Sequence, residues 1–139
     1  GFPRESDDDF RDTVSLMNAV RFAGSYVFMY SQRPNTPSAN LADDVPTEVK
    51  KARCNELLDL QLVHQGEAYA KLHGRIYEVL VEGTSKSNEG MLHGRSIGNL
   101  NIVFPRQGAD GTPRDALIGR MAQVRIARST SLTLFGDLA

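Results

Sequence analysis

The sequence reads as an α/β segment followed by a small all-β antiparallel barrel, and three observations lead there. Apolar residues recur at helical spacing over residues 7–20 and again from about 46 to 72. Between them, Ser25–Tyr30 is apolar on both faces and rich in β-formers, the pattern of a strand covered on two sides. From Arg75 onward the period becomes that of short strands punctuated by glycine. The 139 residues suffice for one ordinary domain or two very small ones.

Gly1-Phe2-Pro3 reads as the exit of an element already under way. Ser6 is a good N-cap for the first helix, and Asp7, Asp8 and Asp9 set negative charge on the free N–H groups of its first turn. A solvated helix start explains that acidic run more simply than a metal site does. Phe10, Val14 and Met17, with Thr13, Leu16 and Val20, form the helical stripe, and Gly24 supplies a stop. The doubly apolar run Ser25–Tyr30 predicts a strand, and Ser31–Asp44 predicts an irregular loop broken by Pro34 and Pro37. One such repeat cannot bury its own faces, so the chain is expected to be the tail of a larger α/β domain whose partner strands lie elsewhere.

Pro46, after Asp43 and Asp44, opens a second helix running to about Leu72. Its apolar positions are Val49, Ala52, Leu57, Leu60, Val63, Ala68 and Leu72; Gly66 is a weak point and Gly74 a stop. Strands are then expected over Ile76–Val81, Met91–Ser96, Asn101–Phe104, Leu117–Ala127 and Ser131–Phe135. Five short strands in about 65 residues favour a barrel, which closes its own edges.

Composition limits the chemistry. Cys54 is the single cysteine, which excludes an internal disulfide and a multi-thiolate metal site, so redox or metal chemistry by this chain alone is not expected. A reducing, cytoplasmic setting follows, with no membrane segment. His64, His73 and His93 do not converge with Cys54 or a carboxylate and read as surface or packing residues. A Cys54–His64 nucleophilic pair would span about 15 Å of helix. No Gly-x-Ser-x-Gly elbow occurs, and Gly108-Ala109-Asp110-Gly111 lacks the lysine and helix of a phosphate loop. No catalytic residue and no metal ligand is assigned.

Charge is unevenly spread. Residues 1–46 carry four basic and seven acidic side chains, whereas residues 74–139 carry eight basic and six acidic. That tilt permits a polyanionic partner for the C-terminal part. Lys86, Arg95, Arg125 and Arg128 are candidates for a phosphate-facing surface, the alternative being ordinary solubilising charge. Phe104 and Phe135 read as core, so base stacking is expected to be sparse and backbone contacts to dominate. Arg33, in the loop beyond the Ser25–Tyr30 run, offers a fork of donors to a carboxylate or phosphate, unless it pins its own loop.

The order of several short pieces resembles the radical S-adenosylmethionine methylthiotransferases of the MiaB type, which act on tRNA. The pieces are Gly1-Phe2-Pro3-x-Glu5-Ser6, Phe28-x-Tyr30-Ser31-x-Arg33-Pro34-x-Thr36-Pro37 and Asp44-Val45-Pro46-x-Glu48-Val49-Lys50-Lys51-x-Arg53. Val79-Leu80-Val81-Glu82-Gly83, Gly94-Arg95-Ser96 and Leu132-Thr133-Leu134-Phe135-Gly136 follow. The resemblance implies that residues 1–68 end a radical-SAM partial barrel and that 69–139 form a TRAM domain, an OB-like RNA-binding barrel. Such enzymes add a methylthio group to an N6-modified adenosine beside the anticodon, using S-adenosylmethionine and two 4Fe-4S clusters. The cluster cysteines lie upstream in the family, so this chain alone is expected to be inactive and to bind none of these cofactors.

By the same resemblance Gly1, Phe2, Pro3 and Glu5 match the loop on the adenosylmethionine side, and Ser31 and Arg33 the loop over the substrate mouth. Asn99 joins Lys86, Arg95, Arg125 and Arg128 as a candidate RNA contact. The family carries glycine at the positions of Arg4 and Asn35, and arginine at that of Leu100. Arg33-Pro34 resembles the tRNA branch and not the sister enzymes that modify a ribosomal protein; the threonylcarbamoyl-adenosine branch stays open. Two further readings are a stand-alone barrel gripping nucleic acid or protein, and self-association of the truncated α/β part.

Overall fold

Ser6 and Asp9 close a reciprocal pair of hydrogen bonds that starts helix α1 (Asp7–Val20): the Ser6 hydroxyl accepts from the Asp9 N–H at 3.2 Å, and the Asp9 carboxylate accepts from the Ser6 N–H at 2.8 Å. The computed structural model describes residues 1–139, which divide into two units, Gly1–Gln65 and Gly66–Ala139. Helix α1 ends at Arg21, which adopts the left-handed conformation (φ 52°) and donates to the Met17 carbonyl at 2.9 Å. The expected stop at Gly24 is therefore not the one used. A hydrogen-bonded left-handed cap ends the helix wherever its geometry closes, and here it closes three residues earlier.

Ser25–Tyr30 is extended but is not a strand. A strand exists through its ladder, and no segment of the chain pairs with this one. Tyr26 is 90% exposed and Phe28 82%, so the face these two residues share stands uncovered, while Val27 on the opposite face is half-buried. The loop that follows is more ordered than its prolines suggest, with a short 3-10 helix over Pro37–Asn40. Side chains tie it: Gln32 donates to the Ala39 carbonyl at 2.6 Å, and Thr36 to the Arg33 carbonyl at 2.8 Å.

Helix α2 (Thr47–Ala70) has no break at Gly66. From Lys50 to His64 it inverts the expected pattern. Lys50, Arg53, Gln61 and His64 are buried, spaced three, eight and three residues apart, while Leu58, Leu62 and Val63 are exposed. Each buried polar group has a partner in the first unit. Arg53 holds Glu5 and Asp7, Lys50 pairs with Asp43, Gln61 donates to the Phe22 carbonyl at 2.9 Å, and His64 meets Asn18 at 3.1 Å. Around them Phe10, Met17, Val45 and Pro3 are the buried apolar residues of this unit.

Five strands follow: β1 (Ile76–Ser85), β2 (Asn88–Ser96), β3 (Asn101–Pro105), β4 (Met121–Ser129) and β5 (Leu134–Leu138). They close as a barrel in the order β1-β2-β3-β5-β4. The barrel is not wholly antiparallel, because β3 and β5 run parallel. An odd number of strands cannot alternate direction around a closed ring, so one pair must be parallel. Leu117 also falls outside β4, in a 3-10 turn over Asp115–Leu117. The interior is filled by Val79, Val81, Leu92, Ile102, Phe104, Val124, Ile126 and Leu134, all essentially inaccessible. No helix is long and apolar enough to cross a membrane.

Candidate nucleic-acid interface

Strand alternation sends Leu92, Gly94 and Ser96 inward and Met91, His93 and Arg95 outward along β2. Register then extends the outward set across the barrel wall. His93 stands opposite Val103, Val103 beside Phe135, and Phe135 opposite Arg128, one row over four strands. The next row joins Arg95 to Asn101, whose amide donates to the Thr133 hydroxyl at 3.2 Å. The turn residues Lys86, Ser87 and Asn88 border the same patch. Together they line a groove of about 470 Å³ with an apolar floor and a cationic, hydroxyl-rich rim.

Two β-bulges shape this groove. On β1 the register passes from Val81–Gly94 to Gly83–His93, leaving Glu82 as the extra residue. Its carboxylate lies 3.5 Å from His93 Nε2 and 3.6 Å from Arg95 Nε. On β4 the register passes from Ile126–Gly136 to Arg128–Phe135, so Ala127 is the extra residue. Strict alternation would send Arg128 to the interior after Ile126; the bulge turns it outward. Its guanidinium carbon sits 3.7 Å from the Phe135 ring centroid.

Of the five expected RNA contacts, Lys86, Arg95 and Arg128 line the groove. Asn99, in the β2–β3 turn at φ 59°, accepts from Arg95 at 2.8 Å and so positions that guanidinium from outside. Arg125 lies elsewhere on β4 and donates to the Gly74 carbonyl at 3.2 Å. The placing of Phe135 in the core is corrected: Leu134 and Gly136 point inward, so Phe135 faces the groove. His93, Asn101 and Thr133 were also missed. Alternation from Leu92 would have marked His93; the other two depend on which strands become neighbours.

In the first unit, Phe2 packs edge-on against Tyr30 with ring centroids 5.2 Å apart, and Pro3 is buried. Glu5 accepts from Arg53 at 2.7 Å and from the chain's amino terminus at 2.7 Å. Burial pushes its carboxyl up, but these two hydrogen bonds and charges outweigh that and hold it below the ordinary glutamate range. Hydrogen bonding to Asp7, with that to Glu5, holds Arg53 firmly protonated. Ser31 and Arg33 are exposed, and the Arg33 carbonyl, not its guanidinium, ties the loop. Arg4 and Asn35 both take positive φ, 70° and 66°, so these loops keep the left-handed turns that glycine would adopt freely.

A five-stranded closed barrel with a basic, hydroxyl-lined groove defines a class of small binding domain. Residues 70–139 match the TRAM domain family, and the chain belongs to it. Over 99% of its length the chain is also similar to proteins named tRNA-2-methylthio-N(6)-dimethylallyladenosine synthase. It is 39% identical to that of Desulfitobacterium hafniense (strain Y51), 41% to that of Acetivibrio thermocellus and 40% to that of Geobacillus kaustophilus. The chain spans only 25–29% of the length of these relatives.

Proposed function

We propose that the chain is the tRNA-gripping C-terminal part of a methylthiotransferase that modifies an N6-substituted adenosine beside the anticodon. The observation that carries this reading is the 39–41% identity, sustained across both units, to relatives named for that activity. The groove supports it chemically: three cations around an apolar floor suit a polyanion with planar bases better than an acidic protein surface. In this reading Lys86, Arg95 and Arg128 contact RNA, Asn99 orients Arg95, and Arg125 adds general positive potential. The setting is cytoplasmic.

The enzyme class would require S-adenosylmethionine and two 4Fe-4S clusters. The donor set of these residues does not fit a cluster, since Cys54 is the single thiol and lies half-buried, with its sulfur 4.0 Å from the Val27 carbonyl. Cluster binding and catalysis are therefore assigned outside residues 1–139, and the chain alone is expected to be inactive. Gly1, Phe2 and Pro3 are proposed to border the adenosylmethionine side. Glu5 serves there as an anchor for Arg53, and Ser31 and Arg33 face substrate. The exposed Tyr26 and Phe28 give the isolated chain a reason to self-associate, which sedimentation at rising concentration would reveal.

Titrating tRNA into the chain at two salt concentrations tests the RNA reading. Affinity should fall with salt with the slope of a few phosphate contacts. Absence of binding at low salt would leave the barrel as a module for a protein partner.

A further inference from the structure

The Arg128 guanidinium is not part of the barrel's buried interior. Arg128 is exposed, the interior is complete without it, and its guanidinium forms no ion pair. Yet a bulge, a local interruption of the β4–β5 ladder, is spent on turning this side chain onto the ring. The result is a planar cation whose central carbon lies 3.7 Å over the Phe135 ring, on an exposed side chain that lines the groove. A guanidinium is weakly hydrated and stacks on aromatic and heteroaromatic planes. Because Phe135 already restrains it, stacking a third plane costs less side-chain entropy than it would for a free arginine.

Lys86 and Arg95 line the same groove; neither stacks on an aromatic ring, and Arg95 is held by Asn99 and Glu82. Asn101, the cross-strand neighbour of Arg95, and Thr133 are hydrogen-bonded to each other and add polar donors and acceptors to the groove lining. We propose that the Arg128–Phe135 pair is a stacking platform for one unpaired nucleobase of RNA, whose neighbouring phosphates are held by Lys86 and Arg95. This rests on the RNA reading above and narrows it to single-stranded RNA. Paired bases inside an A-form duplex are stacked on each other and present only their edges, so they cannot lie on the platform. Sparse stacking, the expectation drawn from treating Phe135 as core, is replaced by one defined stacking position.

Two RNAs of equal length test this on the full chain, an unpaired strand carrying 2-aminopurine and a blunt duplex. The unpaired strand should bind with quenching of the 2-aminopurine fluorescence. Arg128→Lys keeps the charge and removes the plane, so affinity for the unpaired strand should drop roughly tenfold with the salt slope unchanged, while duplex binding stays as it was. Phe135→Leu, checked for native circular dichroism, should act in the same direction. Equal affinity and equal quenching for Arg128→Lys overturns the platform and leaves the RNA reading standing. Failure of both RNAs to bind at low salt overturns the RNA reading itself, and the platform with it.

Discussion

Arg4 shows how a single residue can be read from its backbone before its side chain. At φ 70° it occupies a region that costs a side-chain-bearing residue about 1–2 kcal/mol, and it is held there as its N–H donates to Asp44 at 2.7 Å. Arg4→Gly should therefore stabilise the first unit by about 1 kcal/mol in a thermal melt. Asn35→Gly should change little, because asparagine tolerates the left-handed region. Glu5 makes the second case. Its folded-state pKa lies below its unfolded value, so its contribution is complete above the ordinary carboxylate range and drains away as pH falls through the folded-state value. Helical circular dichroism should thus weaken in acid, and Glu5→Gln should be less stable at neutral pH with a shallower acid dependence. In the groove, Lys86→Ala should weaken every RNA alike and reduce the salt slope by about 0.7. Lys86, Arg95 and Arg128 were legible as candidates because they are cations in the segment whose charge is net basic. Phe135 was not, because an aromatic in a strand looks the same on either face.

Elements behave as their ends and their closest approaches dictate. The Ser6–Asp9 box fixes where α1 begins, and Ser6→Ala should cost about 1 kcal/mol, read as a lower melting point of the helical signal. In the barrel, a Cβ on Gly94 would lie 2.2 Å from the Leu80 carbonyl oxygen, a backbone atom that cannot step aside. Gly94→Ala should therefore cost about 3 kcal/mol or more, seen as loss of cooperative unfolding of the barrel. Helix positions and most strand positions were readable, since both periods are properties of consecutive residues. The polar seam of α2 was not. Lys50, Arg53, Gln61 and His64 look like a solvent face until Asp43 from the preceding loop, and Glu5, Asp7, Asn18 and the Phe22 carbonyl from far along the chain, are brought against them. The run Ser25–Tyr30 marks the converse limit, where the composition of a strand is present and the ladder that makes one is missing.

At the scale of the molecule, the two units differ in what holds them together. The second unit has a continuous apolar interior and no open strand edge, whereas the first relies on a few buried apolar residues and a seam of ion pairs and hydrogen bonds. Residues 66–139 should consequently fold alone with native circular dichroism. The full chain should melt in two steps, the first unit at the lower temperature and more sensitively to salt. The sequence by itself determined the helices, the five-stranded count of the barrel, the lack of a thiolate set and the family resemblance, because each depends on local order or on inventory. Only the tertiary structure decided the parallel β3–β5 contact, the bulge at Ala127 and the stacking of Arg128 on Phe135. These arise from closing a ring, and closure sets which distant residues become neighbours, a relation that no local period encodes.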